Sequence, residues 1–262
     1  MHAHQLPQAL GHGVADKRID ILRAIGRSGS ISQAAREVGV SYKAAWQALE
    51  TLANLAGVPL VERVVGGVGG GGALLTAQGQ QLLELATALD EARQQVQARW
   101  AAAQGAVAGE VVPAQAAYAR LALRTSMRNQ LPARLGPLMP GGRTLQVPLQ
   151  LGDGDPGARL SARITHESAE LLGLQEGLAV VVLCKATAVR VSRVRPAGAA
   201  LANVLAGQVT AVAPDDQGDE IVLSLGPGLQ LVGFAAPQVD LQPGQAAWAT
   251  LDSTALVLAL PG

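Results

Sequence analysis

Aromatic side chains are scarce in this chain of 262 residues, which has three Trp, two Tyr and one Phe. Its hydrophobic cores must therefore be built mainly from Ala, Val and Leu. Only one cysteine is present, Cys184, which excludes an internal disulfide framework and fits a reducing compartment. Acidic and basic residues balance to a formal net charge of zero, so nucleic-acid binding would have to depend on a local basic region.

Long apolar runs and targeting signals are also missing. No uncharged apolar stretch approaches the roughly 18 residues of a membrane span, and MHAHQLPQALGHG lacks the cationic start and apolar stretch of a signal peptide. We therefore expect a cytoplasmic protein with no membrane partner. Residues 1–16 are expected to be a flexible tail, and no metal is assigned to the histidines in it. No paired carboxylates, nucleophile-base pair or metal cluster converges by spacing, so an enzyme is not expected.

A helix-turn-helix is predicted within residues 17–100. Apolar residues at three-residue spacing predict a first helix that ends near Ser28 and Gly29. In the following stretch we expect Ser32 to cap a short helix that Gly39 ends with a positive φ. Ser41 can cap a third helix that continues to about Leu55. Two short helices across a tight glycine turn are typical of DNA-binding proteins, although a generic helical hairpin has the same pattern.

The third helix has the features of a recognition helix. Residues 17–64 carry seven basic and four acidic side chains, so this segment is locally basic. Recognition helices present their N-terminal turns to base edges, and those turns also favour phosphate. The candidate DNA contacts around the turn are Ser32, Gln33, Ser41, Tyr42, Lys43, Ala44 and Gln47.

A glycine-rich hairpin is predicted next, in the stretch ERVVGGVGGGGALLTAQG from Glu62. Two β-rich runs, residues 60–65 and 73–76, flank the glycines, and a hairpin beside a recognition helix is a wing. A tip without side chains can lie against a phosphate or enter a minor groove, so Arg63, Gly67 and Gly69 are further candidate DNA contacts. The same glycines satisfy the spacing of a dinucleotide fingerprint, but that fingerprint requires a βαβ unit, and the upstream partner here is helical.

A long helix with an apolar seam suited to dimerisation is predicted to follow the wing. Its apolar residues alternate three and four apart, as in a short coiled coil: Leu82, Leu85, Leu89, Ala92 and Val96. Packing of the same residues on the first helix of the chain is the alternative. Residues 101–120 have small, nearly uncharged side chains and are predicted to form a linker.

The C-terminal half is predicted to contain two related β-rich domains, residues 121–196 and 197–262. RNQLPARL from Arg128 aligns with ANVLAGQV from Ala202, and LQVPLQL from Leu145 aligns with EIVLSLG from Glu220. A third pair of segments begins at Gly173 and Asp240. Two copies of about 65 residues predict paired small β-barrels of the OB type, which gives an α+β multidomain protein overall.

The two copies differ in charge. The first carries Arg128 and Lys185, whereas the aligned positions of the second are Ala202 and Asp252. An anion removed from water needs opposite charge and hydrogen-bond donors. Only the first copy can readily hold one, although solvated basic residues would give the same pattern.

Several motifs resemble one family. Residues 31–62 look like the winged helix of LysR-type regulators, while the glycine stretch followed by Leu75-Thr76 resembles the wing of the molybdate-responsive ModE regulators. TSMRNQ from Thr125 and LCKATAV from Leu183 look like the signatures of Mop domains, which are molybdenum-pterin-binding or TOBE-type domains. The resemblance implies a homodimer that holds molybdate or tungstate between Mop domains of two subunits. It assigns the oxyanion contacts to Ser126, Arg128, Lys185 and Ala186, joined by Thr165 and Ser168.

The expected function is therefore that of a molybdate-sensing regulator that binds a double-stranded DNA operator. Repression of molybdate uptake genes is what the resemblance implies. One alternative is a cytoplasmic storage protein for molybdate or tungstate. The other is a LysR-like regulator with an organic effector, which would need an α/β effector domain.

Overall fold

The computed structural model describes residues 17–64, 72–104, 125–152, 158–196, 203–237 and 239–260. Two compact units divide the chain, and we call them the helical unit and the repeat unit. Residues 166–173 belong to the helical unit together with residues 17–64 and 72–104, and the other described residues belong to the repeat unit. The predicted tail and residues 105–120 of the predicted linker lie outside the described residues. Within the described ranges, no helix is long and apolar enough to cross a membrane.

The helical unit contains a helix-turn-helix followed by a hairpin and a long helix. Its helices are α1 (Lys17–Ser28), α2 (Ile31–Val38), α3 (Tyr42–Ala56), α4 (Ala77–Gln104) and α5 (His166–Leu172). The hairpin pairs strand β1 (Val61–Val64) with strand β2 (Gly72–Leu75) in antiparallel register. The helix-turn-helix and the wing strands are thus where the sequence predicts them.

Capping residues set the limits of α2 and α3, with one correction to the prediction. Ser30, not Ser32, caps α2: its backbone is extended, and its Oγ accepts the Gln33 N–H at 3.3 Å. This start directs the first helical side chain, Ile31, into the core. Gly39 ends α2 with a φ of 70°, and the Ser41 Oγ accepts the Ala44 N–H at 3.2 Å to start α3, both as predicted.

Small aliphatic residues fill the core of the helical unit, as the shortage of aromatics requires. The fully or nearly fully buried members include Ile21, Leu22, Ile25, Ala34, Ala45, Ala48 and Leu49. The wing is fixed to this core by its backbone, since the Ala73 N–H donates to Gly29 O at 2.8 Å. Helix α4 approaches the chain before β1 so closely that a Cβ on Gly79 would lie 2.2 Å from Leu60 O. Only glycine fits there.

Helix α4 divides into a packed start and an exposed remainder. Leu82 and Leu83 pack against the helical core. Leu85, Leu89 and Val96 are exposed, at 56%, 61% and 65%. The start of the helix therefore packs within the chain, as the alternative interpretation expected, and the dimerisation seam stays a prediction for the exposed residues.

The repeat unit is built from strands. In chain order they are β3 (Asn129–Leu135), β4 (Met139–Gly141), β5 (Thr144–Leu151), β6 (Arg159–Thr165), β7 (Ala179–Cys184), β8 (Arg190–Ser192), β9 (Asn203–Ala213), β10 (Glu220–Gly226), β11 (Leu229–Ala235), β12 (Ala246–Leu251) and β13 (Val257–Ala259). One sheet has the order β13-β7-β3-β5-β4, with β6 also paired to β5, and the other closes as a barrel in the order β10-β11-β8-β12-β9. The β-rich fold class is as predicted, although within the described ranges only the second sheet closes into a barrel.

The two repeats exchange their last strands. β8, from the first repeat, lies between β11 and β12 of the barrel. β13, from the second repeat, pairs with β7 of the open sheet. Each sheet is therefore built from both repeats.

Strand pairing also corrects part of the sequence alignment of the repeats. Leu135 pairs with Leu149, and its counterpart Val209 pairs with Leu223. This register makes Gln146, rather than Leu145, the counterpart of Glu220. The predicted alignment was wrong here by one residue, because it ignored the alternation of buried and exposed side chains along β5 and β10.

Candidate functional site

The start of β3 and the end of β7 bring the two predicted cations together. Asn129 and Cys184 are paired across these antiparallel strands, so Arg128, which precedes β3, and Lys185, which follows β7, lie at the same edge of the sheet. Both are exposed, as is Ser126. We call Ser126, Arg128, Lys185 and Ala186 the cationic cluster.

A short turn shapes one side of the cationic cluster. Ala186 begins a 3-10 turn that ends at Ala188, and its side chain is buried, at 6% exposed. The turn is closed by the Ala188 N–H, which donates to Lys185 O at 3.0 Å. The Lys185 side chain is thereby held at the surface while the turn packs against β11.

Asn129 connects this edge to the second repeat. Its Nδ2 donates to Val232 O at 2.8 Å, and its Oδ1 accepts the Val232 N–H at 2.7 Å. The counterpart residue Asn203 makes the same pair of bonds to the backbone of Ser161, at 3.0 and 2.6 Å. Both asparagines are buried, at 2% and 1% exposed, so they fix the strands on which the cationic cluster is built.

Arg128 forms an ion pair across the repeats. Its guanidinium donates to a carboxylate oxygen of Glu220, at the start of β10. Arg128 is about half exposed, and Glu220 is mostly buried. An anion approaching Arg128 thus meets a guanidinium that already has a carboxylate partner.

The equivalent edge in the second repeat has the opposite charge. Asp252 stands at the counterpart of Lys185, before a 3-10 turn, Ser253–Ala255. Its carboxylate accepts hydrogen bonds from the hydroxyl and amide of Thr254, at 2.6 and 2.7 Å. These bonds, together with the nearby charge of Arg163, hold the pKa of Asp252 below its usual value. This edge is poorly suited to an anion.

Of the two remaining predicted oxyanion residues, Thr165 lies away from the cationic cluster, and Ser168 belongs to the other unit. Thr165 ends β6 and pairs with Thr144 at the start of β5. β3 reaches only the other end of β5, through the pairs Ala133–Leu151 and Leu135–Leu149. The register therefore places Thr165 at the end of the sheet remote from Arg128. Ser168 lies on α5, in the helical unit.

The buried thiol of Cys184 is structural. Burial raises its pKa, an effect that a hydrogen bond from Asn129 partly offsets. The side chain is fully buried, so it fills space at the last residue of β7. Among the described residues, no group of His, Cys, Asp and Glu is arranged to hold a metal cation.

The predicted DNA-reading residues at the start of α3 are exposed, with one exception. Ser41, Tyr42, Lys43 and Gln47 are exposed, and the Tyr42 ring packs edge-on against Trp46 with 6.4 Å between centroids. Ala44 is fully buried, so its side chain has no surface to offer to DNA. On α2, Ser32 is exposed and Gln33 is half-buried and donates to Glu37 at 3.3 Å.

Carboxylates from α5 contact the start of α3 within the helical unit. Lys43 Nζ lies 2.7 Å from Glu167 Oε1. The Ser41 N–H donates to Glu170 Oε2 at 2.9 Å, and Leu171 packs against the helical core. The two groups best suited to bind a phosphate are therefore already engaged by negative charge. In the wing, Arg63 lies on β1 opposite Ala73, while Gly67 and Gly69 lie outside the described residues.

Two family models match the chain at the positions of these candidate sites. The LysR-family bacterial regulatory helix-turn-helix protein matches residues 17–80, and the TOBE domain matches residues 125–191. The molybdenum transport protein ModE of Azotobacter vinelandii is 34% identical over 97% of this chain and 94% of its own length. The DNA-binding transcriptional dual regulator ModE of Escherichia coli K12 is 33% identical over 93% and 92%. The chain belongs to the ModE family.

Other similarities extend across the same length. The molybdenum-pterin-binding protein MopA of Rhodobacter capsulatus is 36% identical over 99% of the ModE-type chain and 97% of its own. Among solved structures, the cytoplasmic molybdate-binding protein ModG matches with a TM-score of 0.49 and 27% identity, over 53% of this chain and 100% of its own.

Family membership confirms the predicted winged helix-turn-helix regulator, which is not an enzyme. The LysR-like alternative needed an α/β effector domain, and the repeat unit of this ModE-type chain contains only strands and short turns among its described residues. That alternative was wrong.

Three residues that organise the two edges were missed from the sequence. Asn129 and Asn203 occupy aligned positions of the repeats, and each is followed by alternating apolar residues. The presence of asparagine at the same position in both copies was the signal that could have identified them. For Glu220 the sequence holds no signal, because its pairing with Arg128 depends on how the two repeats pack.

Proposed function

We propose that this ModE-family protein is a molybdate-sensing regulator in which the cationic cluster binds the oxyanion and α3 reads operator DNA. The observation that carries the proposal is the pairing of Asn129 with Cys184. It supports the proposal because it brings Arg128 and Lys185 to the same edge of the sheet, and their two positive charges match the two negative charges of molybdate. The relatives named as ModE and MopA support molybdate as the ligand, and tungstate, with the same charge and shape, is expected to bind as well.

A second copy of the chain completes the proposed site. Thr165 is remote from Arg128 along the sheet, so hydroxyl donors from Thr165 and Ser168 would reach the anion from the partner subunit. The exposed residues of α4 offer an apolar stripe on which such a homodimer could form. Oxyanion binding between subunits would favour one arrangement of the dimer, and its influence on DNA affinity is limited to its differential affinity for the two arrangements.

In this proposal, two α3 helices read half-sites about 34 Å apart or a multiple of that distance. Ser41, Tyr42, Lys43 and Gln47 contact bases and phosphates, joined by Ser32 and Gln33. Arg63 and the wing glycines Gly67 and Gly69 contact the backbone. The target is proposed to be an operator of molybdate uptake genes, with repression as the outcome.

Calorimetry with molybdate, tungstate and sulfate at near-neutral pH tests the sensor half of the proposal. We expect tight binding of the first two, rejection of sulfate, and a stoichiometry that gives the number of sites per dimer. Absence of heat with all three anions, together with no protection against thermal unfolding, would overturn it.

Footprinting tests the DNA half and separates a regulator from a storage protein. A regulator protects a specific near-palindromic operator, and molybdate changes that protection. Lys43→Ala should weaken operator binding and leave molybdate affinity unchanged. Binding of molybdate without any sequence-specific protection would favour the storage alternative.

The contacts between α5 and α3 add a sharper test. If Lys43 contacts phosphate, its pairing with Glu167 opposes DNA binding, so Glu167→Gln should tighten operator binding severalfold. Glu176→Gln, an exposed carboxylate in the repeat unit, is the control for the lost charge. Weaker operator binding by Glu167→Gln would remove Lys43 from the DNA interface.

A further inference from the structure

The ion pair between Arg128 and Glu220 has no counterpart in the other half of the repeat unit. By strand register, the counterpart of Glu220 is Gln146, an exposed neutral residue on β5. The residue aligned with Arg128 is Ala202. A framework that is otherwise repeated thus carries this charge pair at one edge only.

Glu220 is placed to act on an anion as well as on Arg128. It lies at the first position of β10, paired with Phe234 of β11 and Ala213 of β9, so its backbone is fixed on both sides. Its side chain is 26% exposed, whereas that of Arg128 is 54% exposed. The carboxylate is therefore the more buried member of the pair, and the guanidinium is the more accessible to an anion from solvent.

From this geometry we infer that Glu220 is an internal competitor that sets the oxyanion affinity of the cationic cluster. In the ligand-free protein its carboxylate holds Arg128 at the edge of the sheet. A bound dianion has to share or replace this partner, and it also lies close to a charge of its own sign. Glu220 is thus a positioning residue that lowers affinity. This inference rests on the proposed function of Arg128.

Competition from Glu220 makes the binding free energy of every anion less favourable. A guanidinium has five N–H donors, so carboxylate and oxyanion can share it, but each then receives fewer bonds. Weakly bound anions are excluded by this cost, while an anion that also engages Lys185 and hydroxyl donors can overcome it. Removal of the carboxylate charge, without a change of shape, isolates the effect.

The test compares molybdate affinity of the full-length protein with that of Glu220→Gln by calorimetry. We expect about two- to fivefold tighter binding, the size typical of a partly exposed ion pair. Glu176→Gln controls for a lost negative charge in the same unit and should change the affinity little. Equal unfolding temperatures of the two variants would show that the fold is retained.

A double-mutant cycle shows whether the effect passes through Arg128. In the Arg128→Ala background, the gain from Glu220→Gln should disappear, because the guanidinium for which the carboxylate competes is gone. A gain in affinity that persists in that background would overturn the competitor role. It would mean that the charge of Glu220 acts on the anion directly, without Arg128. Unchanged or weaker molybdate binding by Glu220→Gln alone would also overturn this inference and leave the proposed function intact. Failure of the wild-type protein to bind molybdate would overturn both.

Discussion

Each repeat places a buried asparagine at the start of a strand and ties it to the backbone of the other repeat. Asn129 binds Val232, and Asn203 binds Ser161, and each side-chain amide donates one of these bonds and accepts the other. In each case the neighbouring strand, β7 or β12, ends opposite the asparagine. A 3-10 turn follows the end of that strand. The two edges are thus the same in framework.

The charges carried on that framework differ in sign. The first edge presents Arg128 and Lys185, whereas the second presents Asp252, with Arg163 facing it. One fold therefore supports a positively charged edge, which we propose to bind the oxyanion, and a negatively charged edge that would repel anions. Exposed side chains at the ends of strands can change without cost to the core, so the framework and the site are separable properties.

The largest expected effect is on the free energy of unfolding, through the buried asparagines that both edges share. Asn129→Ala and Asn203→Ala should each destabilise the protein by about 2–4 kcal/mol, because each leaves a backbone N–H and C=O without a partner. Urea unfolding measures both. A large difference between the two variants would break the equivalence of the framework.

The next largest effect is on molybdate affinity, through the charges that distinguish the two edges. Arg128→Ala should weaken molybdate binding by about 2 kcal/mol or more, since it removes a charge-assisted hydrogen-bond donor. Arg163→Ala, at the edge of opposite charge, should leave the affinity unchanged. Calorimetry measures the molybdate affinity of both variants. An equal loss of affinity in both would mean that the anion does not prefer the edge with Arg128 to the edge with Asp252.

A third effect concerns packing, where the repeats are not identical. Gly233 is the counterpart of Ala162 by register. A Cβ on Gly233 would lie 2.6 Å from Val189 Cγ1, so Gly233→Ala should destabilise the protein by about 1–3 kcal/mol through overpacking. Denaturant unfolding measures this. An unchanged stability would show that the turn around Val189 can shift to admit a methyl group.

The smallest effect is the pH dependence at Asp252. Its folded pKa lies below its usual value, so its contribution to stability is present above the unfolded pKa of about 3.9 and is lost as the pH falls through the folded value. Asp252→Asn should therefore be slightly less stable than the wild type at neutral pH and equal to it in acid. Thermal unfolding from neutral pH to about pH 3 tests this, and a constant difference would contradict it.

Local signals in the sequence were sufficient to predict the helix-turn-helix. Gly39 and Ser41 act within one turn of the chain, and their roles as C-cap and N-cap were readable from residue type and spacing. Ser30 and Ser32 are both suitable caps by type, and burial of Ile31 decides between them. That choice depends on tertiary packing, which spacing alone does not contain.

Long-range pairing limited what could be predicted for the repeat unit. Arg128 and Lys185 were assigned from family motifs, but their placement at one edge follows from the register of β3 and β7. The contact with Glu220 spans 92 positions and depends on packing between repeats. The exchange of β8 and β13 was also unreadable, because each strand directly follows a turn of its own repeat.

The exchanged strands have a consequence for the order in which the chain can fold. β7 is complete at Cys184, but its partner β13 is Val257–Ala259, so the open sheet keeps an unpaired edge while the second repeat is being synthesised. Unpaired edges invite pairing with other chains, and distant pairings form slowly. The first repeat therefore cannot mature on the ribosome before the second, and the two repeats are expected to gain and lose structure together in one cooperative step.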